Sequence, residues 1–390
     1  MTEPAEILSQ LRADGLLRTL RPLETAPGVR VGRGGRSLLN FASNDYLGLA
    51  GHPVLAAALI EGVRRYGAGS TASRLVCGTQ PPHALLEERL ADAKQSGAAL
   101  AFSSGFATAV GTIPAVVGKG DFVVLDKLSH ACLVDGARLS GATLRVFPHN
   151  DAGKLDRLLA SIRAKDAKAR VLVVTESVFS MDGDVCPLRE IVGLTERHGA
   201  LLLVDEAHAA GALGATGMGL AEAEGLQGRV TFQMGTFSKA FGLSGGYLAA
   251  SRDWIDLLVN RARSFVFSTA PPPAVAYAAA AALDLVRSAD GARLRGDLSD
   301  RIALFRRESG GGSASATAIQ PIVLGRSEDA LAASAALEAL GMLVPAIRYP
   351  TVPRGKARLR VSLSAAHDPD DVKQLAREIR MLHDSPAPPP

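Results

Sequence analysis

The sequence predicts an α/β fold, in which a mostly parallel, doubly wound sheet is followed by a smaller C-terminal α+β domain. Between residues 46 and 287, short apolar runs alternate with segments of helical period. Several of these runs are continuously apolar, which is typical of strands that helices cover on both faces. The chain has 390 residues, of which 47% are hydrophobic, so it can form one large domain and a smaller one.

The order of the segments predicts four regions. Residues 1–45 contain a helix over 5–20 and a strand over 37–41, and we expect them to pack with the small domain. Residues 46–287 form the large domain, residues 288–384 form the small one, and the Pro-rich tail over 385–390 is expected to be disordered. Candidate strands lie over 98–102, 122–125, 143–147, 170–175, 200–204, 230–234 and 246–250, then over 319–324, 343–347 and 357–363.

Composition narrows the classes of function. The net charge is +4 and the basic residues are spread along the chain, which indicates a mixed-charge surface rather than a nucleic-acid-binding face. The N-terminus lacks the apolar core of a signal peptide, and no apolar stretch is long enough to cross a bilayer. Cys77, Cys132 and Cys186 lie far apart, so neither a disulfide framework nor a metal site is indicated. We expect a cytoplasmic protein that binds neither nucleic acid nor membranes.

Three short motifs suggest other chemistries, and their contexts weigh against them. The GxGxxA-type run at 67–72 follows a predicted helix, whereas a dinucleotide fingerprint follows a strand. The DEAH letters at 205–208 occur without a phosphate-binding GxxxxGK[ST] loop, which argues against an ATPase. The GxSxG run at 242–246 leads into a strand rather than a helix, so a serine hydrolase using Ser244 is kept as the remote alternative.

Polar residues cluster at the carboxyl ends of successive predicted strands. This is the edge at which open α/β sheets bind their ligands. One ligand at this edge is therefore expected to contact residues from several strands. The residues concerned are 103–106, 175–180, Asp205, His208, Thr236, Ser238 and Lys239.

These residue types match the parts of pyridoxal phosphate (PLP). The helix N-terminus at 104–106 offers backbone N–H donors to a phosphate, and the hydroxyl groups of Thr236 and Ser238 add neutral hydrogen bonds. Lys239, which lies among small residues, supplies the amine that an aldehyde needs to form an imine. Asp205 supplies the carboxylate that keeps a pyridine nitrogen protonated, and a pyridinium is the better electron sink. We therefore predict PLP as the cofactor, held covalently on Lys239.

The lysine segment TFSKAFG at 236–242 is one of several motifs spread along the chain. The others are NFASNDYLGL (40–49), YGAGSTASRLVCGT (66–79), FSSGFATAVGTI (102–113), DKLSHACLVDG (126–136), TESVFSMDGD (175–184), LLVDEAHAAGALG (202–214) and TVPRGKARLR (351–360). Together they resemble the α-oxoamine synthases, which have the aspartate-aminotransferase fold of PLP-dependent fold type I. The resemblance implies an acyltransferase that joins an amino acid to an acyl-CoA, with release of CoA and carbon dioxide. It also implies a homodimer with shared active sites.

Within that family, the resemblance favours one group of members. The compact N-terminus and the segment at 347–368 are most similar to those that condense L-alanine with a pimeloyl thioester of CoA or of an acyl-carrier protein, in biotin synthesis. 5-Aminolevulinate synthase, glycine C-acetyltransferase and serine palmitoyltransferase share most of the motifs. Glycine and serine therefore stay open as amino donors.

The resemblance also implies roles for single residues. Lys239 carries the cofactor and moves the α-proton, and Asp205 pairs with the pyridinium. His208 hydrogen-bonds the ring hydroxyl, and His130 stacks on the ring and helps to hold the substrate. The other implied contacts are Gly105, Phe106, Ser180, Thr236 and Ser238 for the cofactor, Ser268 and Thr269 for the partner subunit's cofactor, and Arg18, Asn44, Thr351 and Arg360 for the substrate, with Arg358 on the same strand face as Arg360.

Overall fold

The computed structural model describes residues 3–310 and 315–384, and the chain divides into two compact units. Unit 1 contains the chain up to Tyr46, the short segment Met181–Gly183 and the chain from Asp297 onward. Unit 2 contains Leu47–Ser180 and Asp184–Gly296. These boundaries compare with predicted ones at 45/46 and 287/288. The predicted disordered tail over 385–390 lies outside the described residues.

Strands and helices alternate along most of unit 2, and unit 1 contains the elements nearest the two ends of the chain. The strands are β1 (Arg30–Arg33), β2 (Arg36–Asn40), β3 (Ala98–Phe102), β4 (Phe122–Asp126), β5 (Thr143–Phe147), β6 (Val171–Glu176), β7 (Leu201–Asp205), β8 (Phe232–Thr236), β9 (Gly246–Ala250), β10 (Ile319–Gly325), β11 (Met342–Leu343), β12 (Ala346–Ile347) and β13 (Ala357–Ser362). The helices are α1 (Pro4–Ala13), α2 (Pro53–Tyr66), α3 (Pro81–Ala93), α4 (Gly105–Val116), α5 (Ala131–Leu139), α6 (Ala152–Lys165), α7 (Leu188–Arg197), α8 (Leu220–Ala223), α9 (Arg252–Arg261), α10 (Arg263–Val266), α11 (Pro273–Arg287), α12 (Ala289–Glu308), α13 (Ser327–Ala339) and α14 (Pro369–Asp384). None of these described helices is both long enough and apolar enough to cross a membrane.

The core of unit 2 is a seven-stranded sheet with the order β3-β9-β8-β7-β6-β4-β5. Strand β9 pairs antiparallel with β3 and β8, and the remaining neighbours pair in parallel. This arrangement confirms the predicted mostly parallel sheet. Strands β3, β5 and β9 have the predicted bounds, and the others are shifted by one or two residues.

Burial on both faces explains why the strands have continuous apolar runs. Leu100, Val123 and Leu172 lie in one hydrophobic cluster with residues of α4, α5 and α9. Val124 and Val173, which point to the opposite face, are completely buried as well. Because both faces are covered, strand residues of either parity are apolar, as parallel sheets require. Because these strands run in parallel, their carboxyl ends lie at the same edge of the sheet, where polar residues begin.

Unit 1 contains two small sheets, with the orders β1-β2-β11 and β10-β13-β12. Two expectations are corrected here. The predicted helix over 5–20 ends at Ala13, because Gly15 takes the left-handed conformation (φ 64°) that terminates helices. The predicted strand over 343–347 is two short strands, β11 and β12, on either side of Val344 and Pro345. Pro345 has no backbone N–H with which to continue a ladder.

Candidate active site

A cavity of about 240 Å³ opens in unit 2 beside the carboxyl ends of β6, β7 and β8. Parallel strands end at the same edge, so residues distant in sequence meet there. The cavity brings together most of the predicted cofactor residues. Those that line it are Gly105, Phe106, His130, Asp205, His208, Thr236, Ser238 and Lys239.

Three predicted cofactor residues are not among the described residues that line this cavity. Ser180 is the last residue of its unit 2 segment. Ser268 and Thr269 are exposed, and Thr269 forms a β-bridge with Ser73. Their roles stay predictions, and Ser268 and Thr269 are predicted to act on a partner subunit.

Lys239 lies in the turn that joins β8 to β9. The backbone N–H of Gly242 donates to the carbonyl of Lys239 at 2.9 Å and closes the turn. Gly242 has a φ of 69°, and a Cβ there would come within 2.5 Å of the backbone nitrogen of Ala50, so the turn requires glycine. Within this turn, the Lys239 Nζ lies 2.7 Å from Nε2 of His208. The amine and the imidazole are thus hydrogen-bonded to each other at the cavity.

The N-terminus of α4 offers an anion-binding group at the same cavity. Ser104 caps the helix, because its hydroxyl accepts the backbone N–H of Ala107 at 3.0 Å. The Thr236 hydroxyl accepts the backbone N–H of Ser238 at 3.1 Å and lies 2.9 Å from the Ser238 hydroxyl. A Cβ added to Gly105 would be at ordinary van der Waals distance from the Thr236 side chain, so Thr236 lies beside the first residue of α4. Helix N–H groups beside two hydroxyls are the donor set that a phosphate prefers.

Asp205 is a buried carboxylate that lines the cavity. It ends β7, and its Oδ1 accepts the backbone N–H of Ala207 at 2.9 Å. Burial raises the pKa of Asp205, while the charge of Lys239 and the Ala207 hydrogen bond lower it. A cationic ring nitrogen beside this carboxyl would therefore favour its ionised form.

Glu206, the next residue along the chain, belongs to a separate ion pair. The Lys94 Nζ donates to Glu206 Oε2 at 2.6 Å and to the carbonyl of Met218 at 2.7 Å, with both charged side chains fully buried. The other carboxylate oxygen accepts the backbone N–H of Ala221 at 2.9 Å. Within the DEAH sequence, Glu206 thus forms a structural salt bridge with Lys94. This role explains the glutamate without any nucleotide chemistry.

Glu176, which was predicted only as part of the range 175–180, and Cys132, which was given no role, also line the cavity. Glu176 ends β6 directly opposite Asp205 in the sheet register, and its Oε1 accepts the backbone N–H of His130 at 2.6 Å. Burial and the nearby Asp205 raise the pKa of Glu176. The Cys132 Sγ lies 3.0 Å from Nδ1 of His130. The position of Glu176 at a strand end, like that of Asp205, was a signal available in the sequence.

The donor set of the cavity fits PLP part by part. A lysine amine, a buried carboxylate and a helix N-terminus with adjacent hydroxyls correspond to the aldehyde, the pyridine nitrogen and the phosphate. Among the described residues, no group of three or more His, Cys, Asp or Glu is arranged to hold a metal ion. The chemistry of the donor set therefore indicates an organic phosphate cofactor.

The structure distinguishes the two arginines of β13 in unit 1. The Arg358 guanidinium donates to Asp182 Oδ1 at 2.5 Å and to the carbonyl of Met181 at 3.0 Å. Arg360 donates to the hydroxyl of Ser362 at 2.8 Å. Arg358 is thus paired with a carboxylate, and the role of Arg360 as a ligand of the substrate carboxylate stays a prediction.

Three other predicted substrate residues, Arg18, Asn44 and Thr351, also lie in unit 1. Arg18 Nη2 donates to the Thr351 hydroxyl at 3.1 Å, so these two residues lie side by side at the surface. The Asn44 amide oxygen accepts the hydroxyl hydrogen of Tyr46 at 3.2 Å. Their contacts with substrate stay predictions.

Comparison with known proteins identifies the family. Residues 36–379 match the model of the family described as aminotransferase class I and II. The chain belongs to this family. Two curated members are 8-amino-7-oxononanoate synthases of the genus Geobacter. That of Geobacter metallireducens is 49% identical over 382 residues (97% of this chain, 96% of the relative), and that of Geobacter sulfurreducens is 50% identical over 371 residues (94% of each).

Solved structures with similar sequences share the fold. A serine palmitoyltransferase from S. paucimobilis, with a PLP–myriocin adduct bound, has a TM-score of 0.89 at 29% identity (97% of this chain, 96% of that one). An 8-amino-7-oxononanoate synthase from Francisella tularensis has a TM-score of 0.75 at 26% identity (89% of this chain, 98% of that one). The predicted fold type, the PLP cofactor and the assignment to a PLP-dependent acyltransferase of the 8-amino-7-oxononanoate synthase type are confirmed.

Proposed function

We propose that the protein condenses L-alanine with a pimeloyl thioester in biotin biosynthesis. After the alanine Cα loses its proton, a bond forms between Cα and the thioester carbonyl carbon, the C–S bond breaks, and the thiolate that leaves takes a proton from water. The Cα–carboxylate bond then breaks to release carbon dioxide, and Cα takes up a proton again. The product is 8-amino-7-oxononanoate. The observation that carries this proposal is the 49% identity to an 8-amino-7-oxononanoate synthase over 97% of the chain.

The cavity residues are proposed to divide the catalytic work. When bound, PLP supplies an electron sink for the negative charge that develops at the substrate Cα. Asp205 favours a proton on the ring nitrogen, because a buried carboxylate gains from a charge-assisted hydrogen bond. The Lys239 Nζ, hydrogen-bonded to His208, removes the α-proton and later returns it to the product. The backbone N–H groups of the α4 N-terminus bind the phosphate and fix the orientation of the ring.

The amino acid's carboxylate is proposed to bind Arg360 and Asn44. A planar guanidinium can donate two parallel hydrogen bonds to a carboxylate, which orients the substrate as well as attracting it. We propose further that Arg18 and Thr351, which are hydrogen-bonded to each other, contact the acyl substrate. The residue-specific roles of Ser180, Ser268 and Thr269 belong to the same proposal.

We also propose that the protein is a homodimer with shared active sites. Unit 2 exposes several large apolar side chains near one another in the fold, on the segment before α3, at the start of α4 and after α10. Val76 is 78% exposed and Phe267 is 70% exposed, and Leu75 and Phe106 are also exposed. Phe106 lines the cavity itself, so a second copy covering these side chains would also enclose the site. Light scattering tests this, and a fully active monomer would contradict it.

A reducing compartment is proposed as the location of the protein, namely the cytoplasm. Cys77, Cys132 and Cys186 are all free thiols, and Cys77 is exposed. Exposed free thiols are characteristic of compartments in which glutathione keeps cysteines reduced.

The sibling activity of serine palmitoyltransferase is a second candidate, because a structure of that enzyme matches with a TM-score of 0.89. One experiment separates the two. The PLP-loaded protein is mixed with pimeloyl-CoA and either L-alanine, glycine or L-serine, and thiol release is followed while mass spectrometry identifies the product. Alanine-dependent release of 8-amino-7-oxononanoate is the expected result. Release with serine or glycine alone would overturn the proposed substrate.

A further inference from the structure

His130 is the N-cap residue of α5 and lines the cavity. The backbone N–H of Cys132 donates to His130 Nδ1 at 3.3 Å, and the Cys132 thiol lies 3.0 Å from the same atom. A backbone N–H can only donate, so this long contact favours a lone pair on Nδ1, and a hydrogen donated by the thiol favours it further. The ring proton of the neutral imidazole is therefore on Nε2.

The protonation states of the two side chains agree with this arrangement. Burial raises the pKa of the Cys132 thiol, which keeps its proton and is available to donate it. Partial desolvation lowers the pKa of His130, which keeps the imidazole neutral. A protonated imidazole would carry a hydrogen on Nδ1, and that hydrogen would oppose the Cys132 N–H and break the cap.

A second contact holds the main chain of the same residue. The His130 backbone N–H donates to Oε1 of Glu176 at 2.6 Å, and Glu176 is buried at the end of β6. His130 is thus held at two points, with its main chain bound to the sheet and its ring bound to the first turn of α5. Groups held at two points have few rotamers left, so their donors keep a fixed direction.

We propose that Cys132 and Glu176 are positioning residues for His130. Cys132 fixes the imidazole as the neutral Nε2–H tautomer, and Glu176 anchors the backbone of His130 to the end of β6. The Nε2–H is then the hydrogen-bond donor of the ring toward the substrate. This use of the donor rests on the proposed function, whereas the tautomer itself does not. Neither Cys132 nor Glu176 is assigned a part in the chemical steps.

The test of the thiol uses the full-length, PLP-loaded protein labelled with ¹⁵N-histidine. The chain has eight histidines, so the His130 signals are assigned by their loss in His130→Gln. Long-range ¹H–¹⁵N spectra at neutral pH then show which ring nitrogen carries the proton. We expect Nε2–H in the native protein and in Cys132→Ser, whose hydroxyl still donates. Cys132→Ala keeps only the long 3.3 Å contact from the backbone N–H, so we expect a measurable fraction of Nδ1–H in this variant. A native imidazolium or Nδ1–H form, or an unchanged pattern in Cys132→Ala, would overturn the proposal.

The test of Glu176 follows the His130 backbone amide by hydrogen exchange. Glu176→Ala leaves this N–H without its acceptor, so we expect roughly tenfold faster exchange, as for the loss of one hydrogen bond. Glu176→Gln keeps a carbonyl acceptor and is the matched control, with native-like exchange expected. Equal exchange in all three proteins would refute the anchoring contact. Neither measurement depends on turnover, so a failed alanine assay with the expected spectra would refute the proposed function and leave this inference standing.

Discussion

Asp205 is the residue whose charge is expected to matter most for turnover. Asp205→Asn keeps the side-chain size and an oxygen that can accept the Ala207 N–H, but it removes the negative charge. A neutral amide no longer favours a proton on the ring nitrogen, so we expect kcat to fall by roughly 10²–10⁴-fold. PLP should remain bound, because the phosphate contacts and Lys239 are unchanged. Kinetics and a separate PLP titration measure the two effects, and a near-native kcat would show that another residue supports the ring charge.

Lys239 is expected to be the site of covalent attachment. Borohydride reduction of the PLP-loaded protein should fix the cofactor to a peptide that contains Lys239, as mass spectrometry would show. Lys239→Ala should lose this label and all turnover, because Lys239 supplies the amine at the cavity. Lys127→Ala, which changes an exposed lysine of the same unit, is the control and should keep the label. A label on another peptide of the native protein would refute the assignment.

The segment after β6 depends on one histidine for its position. His149 Nδ1 lies 3.0 Å from Asp126 Oδ1, and its Nε2 lies 2.6 Å from Asp184 Oδ2. Burial alone would lower the pKa of His149, but the hydrogen bonds to these two carboxylates raise it to about 10. The protonated His149 thus links Asp184, in the segment that follows β6, to Asp126 at the end of β4.

This pKa sets the pH range in which His149 stabilises the protein. The pKa in the folded state is above the ordinary 6.5, so the stabilisation is fully present below pH 6.5 and is lost as the pH rises through about 10. We expect His149→Gln to lower the free energy of unfolding by roughly 1–3 kcal/mol at pH 6.5, as for the loss of charged hydrogen bonds. The difference from the native protein should shrink by pH 10.5. Denaturant titrations at both pH values test this, and a pH-independent difference would contradict the ion-pair explanation.

Local sequence patterns predicted the elements better than their ends. Strands β3, β5 and β9 were predicted with their full bounds. β3 and β9 are short apolar runs, and β5 is a short strand-like segment that Pro148 ends. The helix over 5–20 was predicted too long, although Gly15 marked its end. Local periodicity counts apolar positions and gives little weight to one residue in the left-handed conformation. Pro345 was a comparable stop signal within the predicted strand over 343–347.

The cavity was predicted in outline, and its omissions have a common cause. Asp205 and Lys239 were recognised because each has a residue type with specific chemistry at a strand end. Glu176 was predicted only as part of the range 175–180 and was given no role of its own, because its role comes from its partners: β6 places it opposite Asp205, and the start of α5 brings the His130 N–H within 2.6 Å. Such pairings depend on sheet register and helix placement, which no short stretch of sequence encodes.

The acid stability of the whole protein is expected to depend on one buried histidine, His367. Its Nδ1 accepts the backbone N–H of Ser364 at 2.9 Å, its Nε2 lies 3.0 Å from the carbonyl oxygen of Asn40, and its ring stacks on Phe41 at 4.3 Å. The contacts thus join the segment after β13 to the end of β2. Burial lowers the pKa of His367 to about 4, so the folded protein holds this ring neutral.

In the unfolded chain, His367 binds a proton near its ordinary pKa of 6.5, whereas the folded protein binds it only near pH 4. The stabilisation is therefore complete above pH 6.5 and is lost as the pH falls toward 4, by on the order of 3 kcal/mol in total. His367→Gln keeps one acceptor and one donor but does not titrate, so it should show a shallower loss of stability between pH 6.5 and 4.5. As the pH approaches 8, the difference in unfolding free energy between the two proteins should become independent of pH. Unfolding free energies across this range decide the point, because equal slopes in both proteins would mean that other groups cause the acid sensitivity.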